Sequence, residues 1–170
     1  MYLETKRLII RKPEQTDVDD YLEIRNSEFV LKYNGMEKTT RERVASRFLE
    51  EISEHVLVKK ENGKVIGIVA VDEDSLRYGV ESRELSYFLS EAESRKGYMK
   101  EALTAVIDAL FRDENLQCVA ARSFAPNVAS RKLLESLGFH QDGYIPQCVR
   151  GYGNVIFDDT LYSLFRDEWK

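Results

Sequence analysis

The feature of this sequence that most constrains its fold is a strand that passes through a short polar turn directly into a helix. Leu85, Tyr87 and Leu89 alternate with other residues, which is typical of a strand with one face in a core. Beyond the turn, apolar residues recur at helical spacing from Met99 to Leu110. The first amides of that helix have no partners further back in the chain, so the junction predicts a cluster of unpaired donors.

The turn before this helix has the composition of an anion site. Arg95 and Lys96 add positive charge, and Gly97 lets a ligand approach the backbone at the positive end of the helix dipole. A pyrophosphate would fit there. The residues alone leave open a second interpretation, a glycine turn with a solvated basic pair, because short glycine motifs often match by chance. Neither a Walker-type motif nor Gly-x-Gly-x-x-Gly occurs, which weakens the usual nucleotide-binding interpretations.

A second stretch, residues 125–139, contains an asparagine suited to a helix N-cap and closes on Leu-Gly-Phe. Together the two stretches resemble the GNAT superfamily of acyl-CoA-dependent N-acetyltransferases. Residues 95–102 look like the phosphate-binding turn of that family, and residues 127–130 look like the start of its second CoA-contacting helix. The order and separation of the two stretches also match, and the resemblance spans nearly the whole chain.

Two shorter matches point to one branch of the family. Residues 84–87 and 162–164 look most like the branch that contains the ribosomal-protein N-terminal acetyltransferases. The sequence departs from the family pattern at Ser94, where Gln or Arg is common, and at Met99, where Gly or Ala is common. The branch tolerates methionine at the second position.

Length and composition set broad limits. The 170 residues, 43% of them hydrophobic, predict a single domain over residues 1–170 with a real core. A net charge of −5 argues against a nucleic-acid surface and favours a positively charged partner such as an amine. Cys118 and Cys148 lack metal-ligand spacing, so we expect no metal and a reduced, cytoplasmic setting. The sequence shows neither a signal peptide nor an apolar run long enough for a membrane span.

The pattern along the chain predicts an α/β (α+β) fold of the GNAT type. We expect a mixed, mostly antiparallel central sheet of about six to seven strands, flanked by about four helices. Asn62-Gly63 between two apolar runs predicts a hairpin. The capping-box spacing at Thr39 predicts a helix that continues through Ile52. In the resembling family the early helices form one wall of the acceptor groove, and the loop over residues 150–154 is expected to shape it.

The resemblance implies acetyl-CoA as co-substrate. In the family the central strand parts from its parallel neighbour, and its free backbone pairs with the pantetheine arm while one amide faces the thioester carbonyl. The residues that the resemblance assigns to the coenzyme are Phe88, Leu89, Ser90, Arg95, Lys96, Gly97, Tyr98, Met99, Lys100, Asn127, Ser130 and Lys132.

Three side chains are candidates for the chemistry. Glu84, upstream on the central strand, is placed to take the proton of the amine directly or through water; the alternative is a rim carboxylate in a charge pair with Arg83 or another surface cation. Asn127 and Ser130 would orient the pantetheine and protonate the leaving thiolate; the alternative is a simple N-cap. Many GNAT enzymes use a tyrosine for that protonation, but the matching position here is Leu134.

The sequence therefore predicts an N-acetyltransferase that moves acetyl from acetyl-CoA to a primary amine by direct attack in a ternary complex. The branch favours a protein N-terminal amine, with a ribosomal protein as one candidate. The alternatives are a small amine such as a polyamine or an aminoglycoside, and a CoA-binding sensor module without turnover. His55 and His140 are more often structural in such positions. The oligomeric state stays open, although dimers are common in the branch.

Overall fold

In the computed structural model, eight strands form one sheet among residues 1–35, 37–50 and 52–170, which are the residues it describes. In chain order the strands are β1 (Leu3–Glu4), β2 (Leu8–Arg11), β3 (Glu54–Lys59), β4 (Val65–Glu73), β5 (Ser82–Leu89), β6 (Cys118–Phe124), β7 (His140–Arg150) and β8 (Ile156–Phe165). They are arranged as β1-β2-β3-β4-β5-β6-β8-β7. Only β5 and β6 run parallel, so the predicted mixed, mostly antiparallel sheet is confirmed. The strand beyond the predicted number is β1, whose two residues are too short to give a periodic signal.

Five helices, counted over the same described residues, cover both faces of the sheet. They are α1 (Val18–Arg25), α2 (Glu28–Leu31), α3 (Arg41–Arg47), α4 (Tyr98–Asp113) and α5 (Val128–Ser136). One apolar cluster joins the first three helices to β3 and β4, and a second joins α4 and α5 to the opposite face. The prediction of about four helices omitted α2, a single turn that Ser27 caps by accepting a hydrogen bond from the Val30 amide at 3.3 Å.

The predicted helix at residues 39–52 is shorter in the structure. Its N-cap is Thr40 rather than Thr39, because the Thr40 hydroxyl accepts the bond from the Arg43 amide. The helix ends at Arg47, and Leu49 is 77% exposed, so it does not extend the apolar face. Glu51, which the prediction included, lies outside the described residues. The predicted hairpin at Asn62-Gly63 does connect β3 to β4, and the Gly63 amide donates to the Lys59 carbonyl at 2.8 Å.

The sheet parts in its middle, between β5 and β6. Their parallel pairing ends at Leu85 opposite Ala121. On one side of this point β5 stays paired with β4 as far as Leu89, and on the other side β6 stays paired with β8 as far as Phe124. Ser86 is exposed although it lies on a central strand. The consequence is a gap bounded by two firmly paired strands, and it positions the candidate site.

Candidate active site

The backbone of β5 offers free groups to this gap. The Ser90 amide donates to the Ile66 carbonyl on β4 at 2.8 Å, so Ser90 pairs away from the gap. Because main-chain groups of an antiparallel pair alternate in direction, Phe88 also faces β4, and Tyr87 and Leu89 face the gap. Leu89 is therefore the one residue of the predicted segment 88–90 that directs its amide and carbonyl into the gap. Tyr87, outside that segment, does the same.

A cavity of about 470 Å³ opens at the gap and extends to the polar turn. Its walls come from the end of α2, from β5, from the turn before α4 and from the start of α5. The predicted coenzyme residues that line it are Phe88, Leu89, Arg95, Gly97, Tyr98, Met99, Lys100, Asn127 and Ser130. The predicted residues that do not line it are Glu84, Ser90, Lys96 and Lys132. The two stretches that were singled out in the sequence thus meet at one cavity.

The turn before α4 presents the amides of the first helical turn to this cavity. Arg95 and Gly97 both have left-handed backbone conformations, with φ of 60° and 82°. Gly97 is the N-cap of α4 and provides no side-chain cap. The first bond from this cap into the helix runs from the Glu101 amide to the Gly97 carbonyl at 3.0 Å, which leaves the amides of Tyr98 to Lys100 without helical acceptors. This geometry suits an anionic group.

The three cations of the turn have different surroundings. Lys96 pairs with Glu93 at 3.1 Å, and Lys100 donates to the Ser136 carbonyl at 3.1 Å. Arg95 is exposed and makes neither an ion pair nor a side-chain hydrogen bond within the part of the chain that the structure describes. Arg95 is therefore the cation most available to a bound phosphate.

A residue outside both motifs holds the turn in place. Arg7, between β1 and β2, donates through Nε to Glu101 at 2.6 Å and through Nη1 to the Lys96 carbonyl at 3.0 Å. Its guanidinium lies 4.1 Å from the centroid of the Tyr98 ring. The Arg7 amide also donates to Glu101 at 2.8 Å. No local sequence pattern predicts this clamp, because residue 7 and the helix that begins at residue 98 are far apart in the chain.

The start of α5 brings a hydroxyl pair to the cavity. Asn127 is the N-cap, and its side chain accepts a hydrogen bond from the Ser130 amide at 3.2 Å. The Ser130 hydroxyl is not idle, since it shares a 2.9 Å hydrogen bond with the hydroxyl of Tyr87. Burial raises the pKa of Tyr87 to about 12, although the bond to Ser130 acts in the opposite direction. Tyr87 thus remains a proton donor at neutral pH, while Leu134 is fully buried in the core.

On the other face of the gap lies an acidic group. Glu84 lies 3.3 Å from Nε of Arg122 on β6, and its side chain is 21% exposed. Burial raises the pKa of Glu84, Arg122 opposes this shift, and the negative charges of Asp74 and Asp159 reinforce it. The alternative partner Arg83 lies instead 3.5 Å from Glu114. Glu84 is thus half-buried, and the cation that it pairs with is Arg122, whose side chain is 32% exposed, instead of Arg83.

Aromatic rings continue this second face. Phe124 on β6 stacks on Phe157 of β8 with ring centroids 4.9 Å apart, and Phe157 meets Tyr33 edge to face at 6.1 Å. Tyr33 also lines the coenzyme cavity. The loop over residues 150–154 closes on the same region, since the Tyr152 amide donates to the Asn34 carbonyl at 3.1 Å.

Comparison with known proteins now bears on this geometry. The family model described as an acetyltransferase (GNAT) domain matches residues 7–140. The chain belongs to the GNAT acetyltransferase family. Members of this family are acyl-CoA-dependent acetyltransferases, which accounts for a turn suited to a pyrophosphate beside a parted sheet.

Among its relatives, the GNAT chain is 26% identical to the uncharacterized N-acetyltransferase YnaD of Bacillus subtilis, over 99% of both chains. Its fold is similar to that of a ribosomal-protein-S5-alanine acetyltransferase from Vibrio fischeri, with a TM-score of 0.86, 24% identity and coverage of 100% and 99%. It is also similar in fold to a spermidine N-acetyltransferase from Vibrio cholerae, solved in complex with CoA and spermine. That comparison gives a TM-score of 0.79, 18% identity and coverage of 96% and 98%.

The remaining candidate groups lie away from the GNAT cavity. His55 contacts the Ser53 carbonyl at 3.0 Å and His140 contacts Glu168 at 2.9 Å, and neither lines the cavity. Cys118 is buried, Cys148 is exposed, and neither is in a disulfide. Within the described residues no cluster of His, Cys, Asp or Glu is suited to a metal ion. No described helix combines the length and apolar character needed to cross a bilayer.

Proposed function

We propose that the protein transfers an acetyl group from acetyl-CoA to a primary amine by direct attack within a ternary complex. One observation carries the proposal: the unpaired amides of α4, the free backbone of Tyr87 and Leu89, and the hydroxyl pair Tyr87–Ser130 all border one cavity. A coenzyme laid along this path would place its sulfur near the hydroxyl pair, and its thioester at the gap.

On the donor side, the amides at the start of α4 and Arg95 would bind the pyrophosphate. The pantetheine arm would pair with the β5 backbone, and an amide of Tyr87 or Leu89 would donate to the thioester oxygen as it becomes negative. When the carbon–sulfur bond breaks, Ser130 would pass a proton to the thiolate and recover one from Tyr87. This hydroxyl pair would take the place of the tyrosine that Leu134 replaces.

On the acceptor side, the amine would approach from the face that carries Glu84. A carboxylate there is needed because an amine is mostly protonated at neutral pH and must lose a proton before it attacks. Its place on β5 makes Glu84 the candidate to accept this proton, directly or through water. The positive charge of Arg122 beside it lowers its pKa against the effect of burial.

For the acceptor, we propose the N-terminal amine of a protein, with ribosomal proteins as the first class to test. The fold shared with the Vibrio fischeri acetyltransferase supports this choice. An observation favours a second candidate, a polyamine, because carboxylates and aromatic rings on the acceptor face suit a flexible cation. An aminoglycoside belongs to the same class of small amines. We propose a cytoplasmic location, where acetyl-CoA and reduced thiols coexist.

The decisive experiment measures thiol release from acetyl-CoA in the presence of defined amines. The acceptors are a peptide with a free N-terminal alanine, the same peptide with its N-terminus acetylated, spermidine and kanamycin. Release with the free peptide or with a small amine, and none with the blocked peptide, supports the proposal and selects the acceptor class. Calorimetric binding of CoA without thiol release in any reaction would instead identify a non-catalytic CoA-binding module.

A further inference from the structure

A second carboxylate lies buried beside the acceptor face, and one of its two oxygens is unsatisfied within the described residues. Asp159 on β8 is 4% exposed, and its Oδ1 has no hydrogen-bond partner among the residues that the structure describes. A buried acceptor atom without a donor destabilises the fold, because nothing compensates for the water that it has lost. Such an atom is retained in few places, and a ligand that supplies the missing donor is one explanation for it.

Strand alternation places Asp159 on the acceptor face. Tyr162, three residues along β8, bonds through its hydroxyl to Arg131 of α5 and so marks the opposite, coenzyme face. Phe157, two residues before Asp159, stacks on Phe124, which is also the residue opposite Asp159 in the β6–β8 register. Arg122, two residues before Phe124, shares that face, and its Nε lies 3.3 Å from Glu84 without a hydrogen-bond partner among the described residues.

The charges around Asp159 do not balance. Arg122 lowers the pKa of both Asp159 and Glu84, so one guanidinium serves two buried carboxyl groups. In both carboxyl groups the effect of burial is larger than the effect of Arg122, so both pKa values are raised. The negative charge of Asp159 raises the pKa of Glu84 further. Asp74, from the loop after β4, adds a negative charge near Glu84 but pairs with Arg77 at 2.7 Å, and Ile145 on β7, opposite Asp159, is uncharged. The group is therefore one cation short.

A chain of aromatic contacts connects the coenzyme cavity to Asp159. Tyr33 lines that cavity and contacts Phe157, which stacks on Phe124 beside Asp159. Aromatic faces that end at a carboxylate are suited to an ammonium group, because the ring faces and the carboxylate both attract positive charge. A neutral or anionic ligand would leave the charge unbalanced.

We infer that Asp159 binds the ammonium group of the acceptor and takes the first proton that it loses, while Arg122 holds Glu84 beside it. The inference rests on the proposed function and assigns the proton-accepting role to Asp159 instead of Glu84. The ammonium enters with three protons on nitrogen. One passes to Asp159 and then to water, which frees the lone pair to form the carbon–nitrogen bond. A second passes from nitrogen to Asp159, which has already given the first to water, as the carbon–sulfur bond breaks and the sulfur departs with the bonding electrons. Ser130 protonates that thiolate, and the amide product keeps the third proton.

The test compares Asp159→Asn with Glu84→Gln and with Asp113→Asn. Asp113 is exposed at the end of α4 and pairs with Arg112, so its variant removes the same charge without touching the site. The assay is thiol release from acetyl-CoA with the N-terminal alanine peptide and with spermidine, from pH 6 to 9.5. CoA affinity from calorimetry shows whether the donor side is intact.

We expect Asp159→Asn to lower kcat/KM for the amine at least about one hundredfold near pH 7, the scale of general-base catalysis. The deficit should shrink as pH rises, because free amine then forms without a protein base, and CoA affinity should stay at the wild-type value. Glu84→Gln should lower kcat/KM for the amine less than about tenfold and should keep the acidic limb of its pH profile. Asp113→Asn should have the kcat/KM of the wild type at every pH.

Equal activity of Asp159→Asn and wild type overturns the inference and leaves the proposed function standing. The same holds if Glu84→Gln, and not Asp159→Asn, loses the acidic limb. If the wild type releases no thiol with either amine, the proposed function fails and the inference falls with it. Asp159→Glu guards against misfolding, since it should restore part of the activity lost in Asp159→Asn.

Discussion

The two sides of the parted sheet are built in different ways. The coenzyme side uses main-chain amides, and its elements follow each other directly in sequence, as in the turn that leads into α4. The acceptor side uses charged and aromatic side chains from β5, β6, β8 and the end of α2, which are far apart in sequence. Changes on the coenzyme side should therefore act on CoA affinity or thiolate departure. Changes on the acceptor side should act on the amine and on pH dependence.

The largest effect confined to the coenzyme side is expected on acetyl-CoA affinity when Gly97 is substituted. In Gly97→Ala the added methyl group would lie 3.5 Å from Nη2 of Arg7, at the turn proposed for the phosphate, and we expect acetyl-CoA affinity to fall on the order of one hundredfold, or about 2.7 kcal/mol. The matched control is Gly79→Ala, since Gly79 also has a positive φ, of 67°, with nothing near its missing Cβ. Both variants should lose about 1–2 kcal/mol of folding stability from the left-handed backbone. Calorimetry that finds equal CoA affinity in the two would contradict a phosphate site at this turn.

The next effect concerns the hydroxyl pair at the cavity. We expect Ser130→Ala and Tyr87→Phe each to lower kcat about tenfold, because a thiolate is a fair leaving group and gains only moderately from a proton donor. If the two hydroxyls act as one unit, the double variant should lose no more than either single variant. Steady-state measurements of kcat for the wild type, the two single variants and the double variant give the coupling between the two hydroxyls. Fully additive losses would mean that the hydroxyls act separately.

A smaller effect is expected at the clamp of the turn. Arg7→Ala removes the contacts to Glu101, to the Lys96 carbonyl and to the Tyr98 ring, so the amides of the turn should be less well ordered. We expect acetyl-CoA to bind about threefold to fivefold more weakly, with unchanged dependence of kcat/KM on pH. Arg112→Ala is the control, since Arg112 likewise pairs with a carboxylate, that of Asp113, but away from the turn. An altered pH dependence of kcat/KM in Arg7→Ala would show that a change on the coenzyme side also affects the acceptor side.

The smallest effect is on stability. The pKa of Asp159 is raised in the folded protein, mainly by burial, so the stability associated with its protonated form is present below its unfolded pKa. That stability is lost as pH rises through the folded value. Asp159→Asn avoids the loss and should gain on the order of 1 kcal/mol over wild type at pH 7, with no such gain near pH 3. Thermal unfolding at both pH values measures this difference, and a constant offset would show that the pKa of Asp159 is the same in the folded and unfolded states.

The same contrast explains what the sequence could predict. Gly97 and Asn127 were recognised because each belongs to a local motif whose geometry follows from a few neighbouring residues. Tyr87 fitted the strand pattern, but its partner Ser130 is 43 residues away, and only the packing of α5 on the sheet joins them. Local patterns thus sufficed for the element order and the coenzyme turn, but not for pairs made across the sheet.

Asp158 and Asp159 show the limit most sharply. They are adjacent and chemically identical, yet Asp158 accepts a hydrogen bond from the Tyr144 hydroxyl on one face, while Asp159 is buried on the other. A shift of one residue in the register of β8 would exchange their roles. That register is fixed by pairing with β6 and β7, which no local pattern in the sequence reveals.

The parted strands also bear on how such a protein can change over time. A binding site that recognises the coenzyme through main-chain groups places few demands on the surrounding side chains. Those side chains can therefore be substituted during evolution without loss of coenzyme binding. The opposite face has no such freedom, because its selectivity lies in particular carboxylates and rings. Replacing a handful of these could redirect the transferred group to a new recipient without rebuilding the part that carries it.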